Sequence, residues 1–138
     1  MKLSVGIHLL LATAILGGCA LVEKRPAEDS VQQRAQERLD LMWYGKMEEA
    51  YLYTSPGYRE IRSWQQYAAD WAGSQMWKEA QVHRVNCGDS DQPDSCQVTV
   101  RVVFLAPRQD DPVTTFLEER WLWIDGAFPR FARLQKRR

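Results

Sequence analysis

The spacing of apolar residues changes near Trp77, and that change limits the chain to folds in which helices come first and strands follow. Before it, Val31, Ala35, Leu39, Met42 and Trp43 fall on one helical face, and Ser30 with Gln33 forms a capping-box signal. The pattern predicts a first helix over 31–44, ended by Gly45. Residues 46–53 (KMEEAYLY) read as a second, short helix that Ser55-Pro56-Gly57 terminates. Ser63 with Gln66 repeats the capping pattern and opens a third helix through 72, with Trp64, Tyr67, Ala68 and Trp71 on one face; Gly73 and Ser74 stop it. From Trp77 the alternation is that of strands, expected at 77–87, 96–106, 114–125 and 127–134, with Asp125-Gly126 as a tight-turn signal between the last two. Helices followed by an antiparallel meander make an α+β arrangement, three N-terminal helices packed on one face of a four-stranded sheet.

The N-terminus obeys different rules. Lys2 gives a positive start, and residues 3–16 (LSVGIHLLLATAIL) are apolar except for His8. Fourteen residues fall short of the roughly 20 a membrane-spanning helix needs, and match the core of a secretory signal peptide. Gly17 and Gly18 supply the small residues a peptidase requires, and Leu16-Gly17-Gly18-Cys19 resembles the lipobox of bacterial lipoproteins. That resemblance implies cleavage after residue 18 and acyl chains on Cys19, which anchor stably at about 0.8 kcal/mol per buried methylene when two or more are present. It also implies attachment to the cell membrane; in Gram-negative lipoproteins Ala20, in place of Asp, is the outer-membrane-like choice, facing the periplasm. Residues 19–29 then read as the lipidated N-terminus and a polar tether broken by Pro26, and 30–138 as a single domain.

Without residues 1–18 the chain keeps 120 residues, with 17 basic and 18 acidic side chains. This length suits one core burying roughly two thirds of its unfolded surface, and the charge balance does not call for nucleic acid. The Lys136-Arg137-Arg138 tail, with Arg130 and Arg133 upstream, reads as a solvated basic end that can touch an anionic surface. Export makes a Cys87–Cys96 disulfide the expected state of the other two cysteines. The turn-rich GDSDQPDS lies between them and strand-like runs flank them, so the bridge would pin a hairpin end. No metal or other cofactor is expected, because His83 is the one histidine after the leader and no third cysteine remains besides the acylated one.

Trp43-Tyr44-Gly45-Lys46-Met47-Glu48-Glu49-Ala50-Tyr51, followed by Ser55-Pro56-Gly57-Tyr58-Arg59, resembles the short-helix region of NTF2-like proteins. Trp121-Leu122-Trp123-Ile124-Asp125-Gly126-Ala127-Phe128 is similar to their closing hairpin. The resemblance implies a curved sheet wrapped round helices as a cone, whose mouth often holds a ligand, and it makes a homodimer through the sheet an expectation. Fold alone does not give function, because the same cone hosts enzymes and adaptors.

The residues that would line the cone decide between those classes. With Cys87 facing Cys96, antiparallel register sets Val85 opposite Val98, His83 opposite Val100 and Gln81 opposite Val102, so His83 is expected to point inward. Glu118 and Glu119 face opposite ways, and the candidate roles are a proton acceptor inside the cone raised by desolvation, an inward acid paired with Arg101 or Arg120, or a carboxylate at the sheet edge. Tyr53 and Asp70 are weaker pocket-lining candidates. No complete catalytic set is legible, so the expectation is a lipid-anchored, non-catalytic binding or assembly module with an envelope protein as partner. The alternatives are a carrier of a small apolar ligand and an isomerase- or hydrolase-type enzyme. Trp43, Trp64, Tyr67 and Trp71 are expected to pack in the core, whereas any outward Trp77, Trp121 or Trp123 would mark an interface.

Overall fold

A computed structural model describes residues 27–88, 93–124 and 130–135. Cys19, the leader, most of the tether, the Asp125-Gly126 turn and the basic tail lie outside the described residues. The architecture is α+β. Helices α1 (Ala27–Trp43), α2 (Met47–Tyr51), α3 (Pro56–Ile61) and α4 (Trp64–Asp70) precede a short 3-10 helix (Ala72–Met76). Strands β1 (Trp77–Asn86), β2 (Ser95–Phe104), β3 (Val113–Leu122) and β4 (Arg130–Gln135) come next, as an antiparallel meander in the order β1-β2-β3-β4. Among the described residues no helix is long and apolar enough to cross a membrane.

Helix α1 starts a turn earlier than expected, so residues 27–29, read as tether, are helical and Ser30 lies inside the helix instead of capping it. Glu28 and Asp29 stand in this first turn, where carboxylates complement the helix dipole. The helix ends in a Schellman motif: Gly45 N–H donates to Met42 O (3.1 Å) and Lys46 N–H to Leu41 O (2.8 Å), with Gly45 at φ 73°. Ser63 and Gln66 form the expected capping box on α4. Ser55-Pro56, read as a stop, instead starts α3: the Ser55 hydroxyl accepts from Tyr58 N–H and Pro56 stands in the first turn, where its missing N–H costs nothing.

The inner sheet face, turned towards the helices, carries Ala80, Cys96, Val98, Val100, Val102 and Trp121, packed against Val31, Ala35, Leu39 and Met42 of α1 and against Tyr67, Trp71 and Phe131. Each outer strand is capped at one point, which shortens its free edge. On β1 the Gln36 side chain imitates a strand, donating to Ala80 O (3.1 Å) and accepting from Val82 N–H (3.0 Å). On β4 the segment after α2 pairs with Phe131, through Ser55 N–H to Phe131 O and Phe131 N–H to Tyr53 O. Cys87 and Cys96 form the expected disulfide, on the inner face where β1 turns towards β2.

One residue alters the expected β1 register. Val85 does face Val98, but the pairing then slips between Val82 and Arg84, so Val82 faces Val100 and Ala80 faces Val102. His83 occupies the bulge, where two residues on one strand oppose one on the other. Because side chains alternate, the extra residue turns His83 to the outer face, exposed and 5.2 Å from the Phe116 ring, rather than into the interior.

Candidate functional site

The interior acid is Glu119, and its partner is neither Arg101 nor Arg120 but Arg38 of α1. In β3 the inward positions are Leu117, Glu119 and Trp121, and in α1 the buried stripe is Val31, Ala35, Arg38, Leu39 and Met42. Where these surfaces meet, Arg38 Nη1 donates to Glu119 Oε1 at 2.9 Å, with both side chains wholly buried. Trp121 Nε1 donates to the other carboxylate oxygen at 2.9 Å, and Arg38 Nε donates to the Tyr67 hydroxyl at 3.0 Å. The guanidinium carbon lies 4.0 Å from the Phe131 ring centre, 4.9 Å from Trp71 and 5.6 Å from Tyr67. Nη2 has no hydrogen-bond partner, and the electron-rich ring faces compensate the cation instead.

Burial alone would lower the Arg38 pKa, but the Glu119 carboxylate, with Tyr67, outweighs it and holds the guanidinium above its ordinary range. Burial pushes the Tyr67 phenol up to about 12 against the opposing pull of Arg38. Such a pair is costly to desolvate and costlier still to break, because either partner left alone is an uncompensated buried charge. Catalytic use requires a carboxylate that reaches a substrate proton. Glu119 has no exposed surface and both its oxygens already accept hydrogen bonds, so it serves the core.

The other predicted pocket residues do not gather round it. Glu118 faces outward and accepts from Thr99 Oγ1 (3.0 Å) and Gln97 Nε2 (3.3 Å). Tyr53 lies on the far side of α1, its hydroxyl donating to Glu37 at 3.2 Å, and burial together with that carboxylate raises its pKa. Asp70 is exposed and pairs with Arg62 at 3.7 Å. Trp43 and Trp64, expected in the core, each keep 39% of their surface exposed, whereas Trp121 is fully buried. Sequence reasoning missed Arg38, although the signal was present: a charged residue on the apolar stripe of α1 has to meet a countercharge, and Glu119 stands at the matching inward parity of β3.

Beside the 3-10 helix the inner face is open. A groove of about 300 Å³ runs between the 3-10 helix and the ends of β2 and β3, lined by Trp71, Met76, Trp77, Val102, Phe104 and Leu117, with Asp70, Ser74 and Thr115 at its rim. Trp71 belongs to both regions, with one side towards Arg38 and the other towards the groove. Among the described residues no group of three or more His, Cys, Asp or Glu is placed to hold a metal ion. No protein-family model matches the chain, and no curated protein matches it.

Proposed function

We propose that this chain is a lipid-anchored envelope protein whose NTF2-like domain works as a non-catalytic binding or assembly module. The anchor rests on Leu16-Gly17-Gly18-Cys19 and the apolar leader before it. The NTF2-like reading is supported by helices leading into a bulged antiparallel meander whose inner face packs on α1. The observation that carries the binding role is the contrast along the inner face: its polar centre is internally paired, and an apolar groove opens beside Trp71 and Trp77. At about 300 Å³ that groove lies at the lower limit of small-molecule pockets, large enough for an anchoring side chain of a partner. Its apolar lining also favours a second reading, carriage of a small apolar molecule.

A photo-crosslinking residue placed at Phe104 in the lipidated protein, within its native envelope, separates the two. Protein adducts are expected, and a purely lipidic adduct would overturn the module reading in favour of the carrier. Attachment is tested apart from this by metabolic labelling with palmitate, where Cys19→Ser is expected to abolish label and membrane retention. Unlabelled wild-type protein would refute the anchor.

A further inference from the structure

Three consecutive residues after α2 each hold an arginine from a different element. The Leu52 carbonyl accepts from Arg130 Nη1 of β4 at 2.6 Å. The Tyr53 ring carries the Arg34 guanidinium of α1 at 4.2 Å from its centre. The Thr54 carbonyl accepts from Arg59 Nη1 of α3. The turn that carries them is itself fixed, because Thr54 bridges to Phe131 in parallel and its hydroxyl donates to Tyr51 O at 2.7 Å. None of these three contacts is required by the helices or the sheet, yet together they set three arginines against consecutive residues of one turn.

Among the described residues, Glu37 is the carboxylate that meets this group. Arg34 pairs with Glu37 at 3.7 Å, and Glu37 is also engaged by Tyr53 and Gln33. Among the described residues no carboxylate comes within 4.0 Å of Arg59 or Arg130. Partial burial first, and then the nearby Arg34 and Arg59, hold the Arg130 pKa below its ordinary value, so Arg130 lies within electrostatic reach of both. Like charges gathered at partly buried positions repel, and an anion between them relieves that repulsion.

We infer that Arg34, Arg59 and Arg130 form a binding site for a phosphate group. Arginine has five N–H donors in a planar fork, and Arg59 and Arg130 each give one terminal nitrogen to a backbone carbonyl. The remaining donors suit two-pronged contact with phosphate oxygens, and the carbonyl bonds pre-set the side chains so that little freedom is lost on binding. The same chemistry is offered by a free phosphate monoester and by the phosphodiester of a lipid headgroup. Such a site depends neither on the groove nor on acylation at Cys19.

Calorimetric titration of the full chain, held in an uncharged detergent at physiological ionic strength, with inorganic phosphate and separately with glycerophosphoglycerol tests it. One-site saturation by either anion is expected, and the tighter of the two identifies the source. In R59Q/R130Q the affinity should fall at least about tenfold, the loss expected from removing two charge-assisted contacts. R101Q, which removes the outer-face partner of Glu79, should bind as wild type. Phosphate should also move the side-chain nitrogen resonances of Arg59 and Arg130 in the wild-type protein, a readout that needs no variant to fold. Saturation by neither anion, unchanged affinity in R59Q/R130Q, or resonance shifts confined to other arginines would each overturn the site.

Discussion

Two stretches of the same sheet face, only two residues apart along β2 and β3, live in different environments. At Val100 and Glu119 the sheet lies under α1, and the space is filled so completely that an arginine and a glutamate are wholly dry. At Val102 and Leu117, one step of about 7 Å further along each strand, the end of α4 and the 3-10 helix line the opposite side. There Trp77 and Phe104 remain half-buried, and a groove persists. Where the end of α4 and the 3-10 helix take over from α1, the closed core passes into the open groove. The sheet sequence contributes less: the same inward alternation runs through both stretches.

The comparison can be broken most forcefully at its closed end. Arg38→Met should destabilise the domain by about 3–5 kcal/mol, because Glu119 is left buried without its cation. R38M/E119L should recover most of that loss. Chemical denaturation checks both, and a double variant no more stable than R38M would mean that the pair does more than neutralise itself.

A somewhat smaller effect is expected from alkali. The Tyr67 pKa is raised from 10.0 to about 12, so its contribution is complete below pH 10 and is lost as pH rises through about 12. Unfolding free energy should fall by about 3 kcal/mol across that window, because the unfolded chain releases the proton first. Tyrosinate absorbance, followed beside the unfolding midpoint, should show Tyr67 as the last phenol to ionise. Uniform ionisation with an unmoved midpoint would show that the closed centre is wetter than its geometry.

The smallest change belongs to the groove. Phe104→Ser should cost only about 1 kcal/mol, since the ring is already half-exposed, while removing partner capture through this face. Substantial unfolding in F104S would place the groove with the core and erase the distinction.

Legibility in the sequence tracked how local the determining interaction is. The Ser63–Gln66 box, the Gly45 stop and the strand alternation depend on neighbours within a turn or two, and the structure reproduces them. The Cys87–Cys96 pairing was equally accessible, since the same alternation sets both residues on the inner face. Helix α3 was missed because Ser-Pro both ends and begins helices, and the conformation of the residues after Pro56 decides between the two. His83 was misplaced because a bulge leaves no mark in a single strand: Val82 to Arg84 carry nothing that announces a slip. Trp43 and Trp64 show that helical spacing identifies a face but not how far the opposing sheet reaches. Arg38 and Glu119, 81 positions apart, needed both parities considered at once.

That separation bears on how the domain is made. A chain that emerges N-terminus first presents α1 with its guanidinium long before β3 supplies the carboxylate, so α1 cannot settle against β1 and β2 alone without stranding a dry charge. Completion of the core is thereby tied to arrival of the third strand, and a half-made domain stays open instead of stalling as a compact intermediate. A chain ending at residue 112 should accordingly lack protected amides in hydrogen exchange, and restoring residues up to 135 should bring protection back to α1 and β1 together.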